Sequence, residues 1–210
     1  MHKKPRGVPY HLSVTVGAGK PPQEMLQNDL HLPHDKGGIE RVIATQFAAD
    51  ARNCDLPAKI IAQPVQNDEN DIDFSIETNL GSMGLELVEY APVGKLGFAG
   101  PKPTEFSPIE RAREVTELIA KKSEKYRHYQ KHAHLMLLIY VTDNAWALDH
   151  FTLQAVQFLA RTANTSFHFI TYFKPMVNTP GIVYRLYPVT DLEYDALGQL
   201  CVPSDCRRIL

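Results

Sequence analysis

The chain has 210 residues, of which 44% are hydrophobic and 22% charged, the composition of a globular protein large enough to bury a real core. Its formal net charge of −2 argues against a strong non-specific binder of nucleic acid or of an anionic membrane. Cys54, Cys201 and Cys206 have neither the CxxC spacing of a metal site nor the density of a secreted disulfide framework, and read as ordinary thiols. The start MHKKPRGVPY is basic without an apolar signal core, and no run reaches membrane-spanning length, so a cytoplasmic location is expected.

Charge is segregated along the chain. From Val65 to Tyr90 stand Asp68, Glu69, Asp71, Asp73, Glu77, Glu86 and Glu89 with no Lys or Arg. From Lys95 to Lys131 the bases Lys95, Lys102, Arg111, Arg113, Lys121, Lys122, Lys125, Arg127 and Lys131 outnumber the acids.

Residues 1–35 are rich in Pro, Gly and His with one strand pattern, His11 to Val16, and read as an arm or peripheral element. An α/β domain is expected over 36–190 and a weakly patterned tail over 191–210. Ile39 to Asn53 follows Gly37-Gly38 and carries Ile39, Val42, Ile43 and Phe47 at helical spacing. Glu40 falls beside that stripe, either as a first-turn acid favoured by the helix dipole or as part of a site.

Lys59 to Val65 reads as a strand. Asp71 to Thr78 alternates, with Ile72, Phe74 and Ile76 on one face and Asp71, Asp73, Ser75 and Glu77 on the other. A turn carrying Asn79, Gly81 and Gly84 leads to Leu85–Tyr90, completing a three-stranded meander. There Glu86 stands between Leu85 and Leu87, a carboxylate in what looks like an internal strand. Burial of such a group is costly unless a cation or a basic side chain meets it. Asp73 on the preceding strand is the second acid, and two such oxygens can hold one divalent cation.

Ala91 to Phe106 is a Gly/Pro-rich loop with the character of a flap. Ser107, Pro108 and Glu110 form a helix start with a capping box. That helix places Val115, Leu118, Ile119 and Tyr126 on one face, with Lys122 at the centre of the stripe and Lys125 at its edge. Lys122 either snorkels to water or reaches a carboxylate. Leu135–Val141 is an unbroken apolar run, the pattern of a central strand. A helix over 147–160 with Phe151, Ala155, Phe158 and Leu159 inward, then strands over 167–173 and 181–189, complete a mixed central sheet flanked by helices.

This order, αβββαβ, together with IDF at Asp73, LEL at Glu86, an acid near the start of the first helix and a Lys-rich second helix, resembles the restriction-endonuclease-like, PD-(D/E)xK nuclease superfamily over roughly residues 38 to 142. The resemblance implies that Asp73, Glu86 and the Leu87 carbonyl bind Mg²⁺ or Mn²⁺, with Glu40 joining the site. Two positions depart from the pattern. Ile72 replaces the proline before the aspartate, and Val88 stands where the family's lysine falls. Some members supply that lysine from the following helix, which here means Lys122, with Lys125 second. The implied activity is metal-dependent phosphodiester hydrolysis of nucleic acid, DNA above RNA, by an enzyme many of whose relatives are homodimers. The alternative is a catalytically inactive binding or assembly module in which Glu86 and Lys122 form a structural ion pair. A third reading leaves Asp73 capping a strand and Glu86 facing water.

Other patterns carry less. His128 and His132 are four apart, as in a helical zinc pair, but no Glu follows in HExxH fashion. Gly17-Ala18-Gly19-Lys20 lacks the first glycine of a phosphate loop and has Pro21 where Ser or Thr belongs. Phe167, Phe169, Tyr172 and Phe173 read as core.

Overall fold

The computed structural model describes residues 12–15, 23–26, 32–68, 71–91, 105–143, 146–198 and 208–209. Most of the 91–106 loop, Gly17–Lys20, Lys95, Lys102, Cys201 and Cys206 lie outside the described residues.

Six strands form one mixed sheet in the order β3-β4-β5-β7-β8-β9. They are β3 (Val65–Gln66), β4 (Phe74–Thr78), β5 (Gly81–Glu89), β7 (Leu135–Tyr140), β8 (Phe169–Lys174) and β9 (Ile182–Tyr187). The β3-β4-β5 meander is antiparallel, β5-β7 and β7-β8 are parallel, and β8-β9 is antiparallel. Each parallel pair is joined by a helical crossover, α2 (Pro108–Lys125) and α3 (His150–Thr162), as parallel pairing requires. Two further pairs, β1 (Leu12–Thr15) with β2 (Gln23–Leu26) and β6 (Glu105–Phe106) with β10 (Arg208–Ile209), stand apart from this sheet.

The two faces bury separate cores. Helix α1 (Lys36–Ala51) lays Ile39, Ile43, Phe47 and Ala48 against Phe74, Ile76, Leu85, Leu87 and Leu138. Helices α2 and α3 bring Val115, Ile119, Leu153 and Val156 onto Ile72, Leu137, Ile139 and Tyr172. Strand β7 is buried along its whole length, which its continuous apolar run requires. Local chemistry sets the helix starts. Asp35 accepts the Gly38 N–H at 2.7 Å, and Ser107 accepts the Glu110 N–H ahead of Pro108.

Several expectations are corrected. Lys59–Val65 is no strand; Ile60 makes one isolated bridge to Thr78, and the third strand of the meander is the two-residue β3. Of the turn glycines, Gly81 has φ of 99° and so needs the missing Cβ, whereas Gly84 lies inside β5. Of the residues expected inward on α3, Ala155 is buried, but Phe151 and Phe158 remain 41% and 36% exposed, because the rest of the buried face is Thr152, Leu153, Val156, Gln157 and Ala160. Within 191–210 a helix, α4 (Asp191–Gly198), is tied to α3 by the Arg161–Asp191 ion pair. Glu40 is not a first-turn acid, since α1 begins at Lys36.

Gly84 is a close-approach position: a Cβ there would stand 2.8 Å from Ile72 Cδ1 and 3.0 Å from Leu135 Cδ2. Gly84→Val should therefore lower unfolding free energy by about 1–3 kcal/mol, as overpacking does. Urea denaturation measures it, and an unchanged midpoint would show that these side chains give way.

Candidate functional site

The antiparallel register pairs Phe74 with Leu85, so the preceding residue Asp73 stands opposite Glu86, on the sheet face covered by α2. Glu86 is 1% exposed. A water-facing Glu86 is thereby excluded, and its charge must be met within the fold. Helix α2 meets it twice: Lys122 Nζ lies 2.6 Å from Oε1, and the Tyr126 hydroxyl donates to Oε2 at 2.5 Å. Lys125 Nζ lies 3.7 Å from Oε1 and donates to the Tyr126 oxygen at 2.8 Å. Positions 122 and 126 are one helical turn apart, which brings both heads to one carboxylate. Burial, then the hydrogen bond to Glu86, pushes the Tyr126 phenol well above its ordinary value, so it stays protonated and remains a donor.

Asp73 is placed differently. Its Oδ2 accepts the Leu87 N–H at 2.7 Å, and among the described residues no lysine or arginine forms an ion pair with it. Burial, followed by the neighbouring charge of Glu86, pushes its carboxyl up to about 6, with Glu40 adding to the rise and the Leu87 N–H and Lys122 opposing it. Glu40, buried on α1, is paired with Lys36 at 3.3 Å. The Lys36 ammonium is raised, first by Glu40, with smaller contributions from the charges of Asp73 and Glu86.

Leu87 sends its side chain into the α1 core while its N–H turns to the β4 edge. A strand residue presents N–H and C=O at the same edge, so its carbonyl faces Asp73's side. Gly84 and Tyr90 bond instead toward β7, consistent with that alternation. Val88 is partly buried against the α2–α3 core. The donors are all oxygen, two facing carboxylates plus a backbone carbonyl, a set that suits Mg²⁺ or Mn²⁺ and not zinc. Among the described residues, no three His, Cys, Asp or Glu side chains are grouped to hold a metal. The fit is thus that of a pair completed by backbone, with Glu40 as a neighbour.

His132 stacks on Tyr129 and lies 3.3 Å from Ser75 Oγ, whereas His134 meets the ring of His168. Arg111 is no surface base: it is buried, with its guanidinium 3.7 Å from the Phe106 ring centre and a hydrogen bond to the Ala147 carbonyl. Lys121, Arg113, Lys125 and Arg127 are exposed. A second basic contact, Lys131, holds Asp71 together with Tyr129, and these bonds keep the Asp71 carboxyl down to about 2.

Tyr126 and Lys36 were not anticipated as site residues. The signal for Tyr126 was its place four residues after Lys122, but a tyrosine on an apolar stripe reads first as core.

No family model matches the chain, and no curated protein matches it. Among solved structures, SfsA of Pyrococcus furiosus in complex with Ca²⁺ is similar over 82% of this chain and 74% of that one, at 13% identity and a TM-score of 0.31. A likeness that faint carries no argument about activity. Among the described residues, no helix is long and apolar enough to cross a membrane.

The raised Asp73 carboxyl has a consequence for stability. Folding tightens its hold on the proton, from the ordinary 3.8 to about 6. The contribution is complete below the unfolded value and is lost as pH rises through the folded one. Asp73→Asn, in EDTA, should match wild type near pH 4 and exceed it near pH 7.5 by up to about 2 kcal/mol, discounted for partial exposure. Denaturant unfolding at the two pH values measures this. Comparison with the variant cancels the opposite titration of Asp71, and a difference independent of pH would refute the assignment.

Proposed function

We propose that this chain is a metal-dependent phosphodiesterase acting on nucleic acid, with DNA as the expected substrate, built as a PD-(D/E)xK-type nuclease whose lysine comes from the second helix. The observation that carries the reading is the facing pair Asp73 and Glu86, in which Glu86 is neutralised by α2 and Asp73 has no basic partner among the described residues. A purely structural ion pair between Glu86 and Lys122 gives no reason for a second carboxylate held against it.

Asp73, Glu86 and the Leu87 carbonyl offer the oxygens for one Mg²⁺ or Mn²⁺, with Glu40 set behind them. Such an ion, when bound, supplies Lewis-acid polarisation of a phosphoryl oxygen and a water of lowered pKa. Lys122, held at Glu86 Oε1, presents a positive charge to the attacking water and to the charge that develops on phosphorus. The exposed bases Arg113, Lys121, Lys125 and Arg127 carry the phosphate backbone past the site. A homodimer would supply one such centre for each strand of a duplex.

Three variants test this. Asp73→Asn and Glu86→Gln should bring Mn²⁺-dependent cleavage of plasmid and single-stranded DNA to background, and should abolish the Mn²⁺ binding seen by isothermal titration. Lys122→Met should retain the ion and lose about 10²–10³-fold in kcat, as removal of one charge-stabilising group does. Cleavage that survives Asp73→Asn overturns the reading. Absence of both Mn²⁺ binding and cleavage in wild type favours the inactive module, for which Glu86→Leu with Lys122→Met should be neutral or stabilising.

A further inference from the structure

Glu86 is gripped on both oxygens, and the second grip is the less expected. An ammonium has donors and no acceptor, so the Lys125 Nζ that lies 2.8 Å from the Tyr126 oxygen must donate to it. The phenol has one proton. With its oxygen already accepting from Lys125, that proton is turned toward Glu86 Oε2, an acceptor 2.5 Å away. Lys122 on Oε1 fixes only one point of the carboxylate, about which the group can still turn; Tyr126 on Oε2 fixes its plane. The ring itself is held edge-on between Tyr129 and Phe167, with centroids 5.6 and 5.8 Å away, so the hydroxyl cannot drift.

We propose that Tyr126 is the positioning residue that sets the Glu86 carboxylate plane for the divalent cation, and that Lys125 acts through it by fixing the direction of its hydroxyl. The inference rests on the proposed function. It gives Lys125, counted above among the phosphate-facing bases, a further part as the outer member of a Lys125–Tyr126–Glu86 chain. Hydrogen-bond partners of a metal-binding carboxylate typically contribute 10–100-fold to ion affinity.

The test is Mn²⁺ titration of wild type, Tyr126→Phe, Lys125→Met and the double variant, with melting temperature recorded for each. Tyr126→Phe keeps the ring between Tyr129 and Phe167 and removes only the hydroxyl. Its Kd should rise about 10–100-fold, with the melting temperature lowered only by the few degrees that one lost buried hydrogen bond costs, so that the protein is still folded at the titration temperature. Lys125→Met, an exposed substitution that keeps the fold in any event, should weaken binding less, and the double variant should be no weaker than Tyr126→Phe alone. Equal Kd in Tyr126→Phe and wild type overturns the inference while leaving the proposed function standing. Additive losses in the double variant also overturn it, because Lys125 would then act on Glu86 directly across 3.7 Å. Wild type that binds no Mn²⁺ overturns the proposed function, and this inference with it.

Discussion

Everything around the site depends on how the fold answers one buried charge. Removing a carboxylate from water costs several kcal/mol even after relaxation, and Glu86 sits at 1% exposure between two leucines that belong to the opposite core. The answer comes from a single turn of α2. Because Lys122 and Tyr126 must both reach one carboxylate, the rotation of α2 about its axis and its height over the sheet are fixed to within a side-chain length. Val115 and Ile119 then fall onto Leu137 and Ile139. The polar clamp and the apolar seam of α2 therefore specify the same docking, which is the agreement between levels that gives a fold one arrangement.

The sheet supplies the other half. Pairing between β4 and β5 ends at Phe74, and Asp73 takes the Leu87 N–H with its side chain in place of another backbone carbonyl. That substitution keeps the β5 donor satisfied. It also leaves a carboxylate and a strand carbonyl at the place where the ladder stops. Glu86 stands in the Met83–Leu87 stretch of β5 that is buried on both faces, and Asp73, just ahead of β4, is tied to that stretch through the Leu87 N–H.

How legible was this? Alternation of apolar and acidic residues located β4 and β5, and the capping chemistry of Ser107, Pro108 and Glu110 located α2, because those signals are local. The Leu135–Val141 run marked the sheet centre for the same reason. Glu86 announced itself by contradiction, a charge between two leucines in what reads as an internal strand. Tyr126 did not, because a phenol satisfies an apolar pattern and a hydrogen-bond network equally well, and only the third dimension separates the two. Phe151 and Phe158 misled in the opposite way: seven apart, they share a face, but the core-facing side of α3 includes the polar Thr152 and Gln157, and Gln157 donates to the Arg185 carbonyl on β9, a neighbour that no sequence window contains. Lys59–Val65 is apolar enough for a strand, yet Ile60 makes only an isolated bridge to Thr78 and Val65 joins the short β3, with Pro64, which has no N–H to give a ladder, between them.

On the proposed reading, a lysine carried by the helix is controlled differently from one on the strand. A lysine at position 88 would leave the same strand on the same face as Glu86, about 7 Å along, and its distance from the acid would be set by strand geometry alone. Val88 instead packs against the α2–α3 core, and the ammonium arrives from Lys122, whose place depends on how α2 is seated. The helix is seated at its start by the Ser107 cap and near its end by the Glu86 clamp and the Ser123–Thr165 contact at 3.1 Å. Charge at the site is thus coupled to the docking of a whole helix. The exposed bases that would meet a phosphate backbone, Arg113, Lys121 and Lys125, stand on that same helix. On the proposed reading, a polyanion held by those side chains would act on the element that positions Lys122. In the strand-borne arrangement no such mechanical link exists, because a central strand cannot shift without breaking the ladders on both its sides.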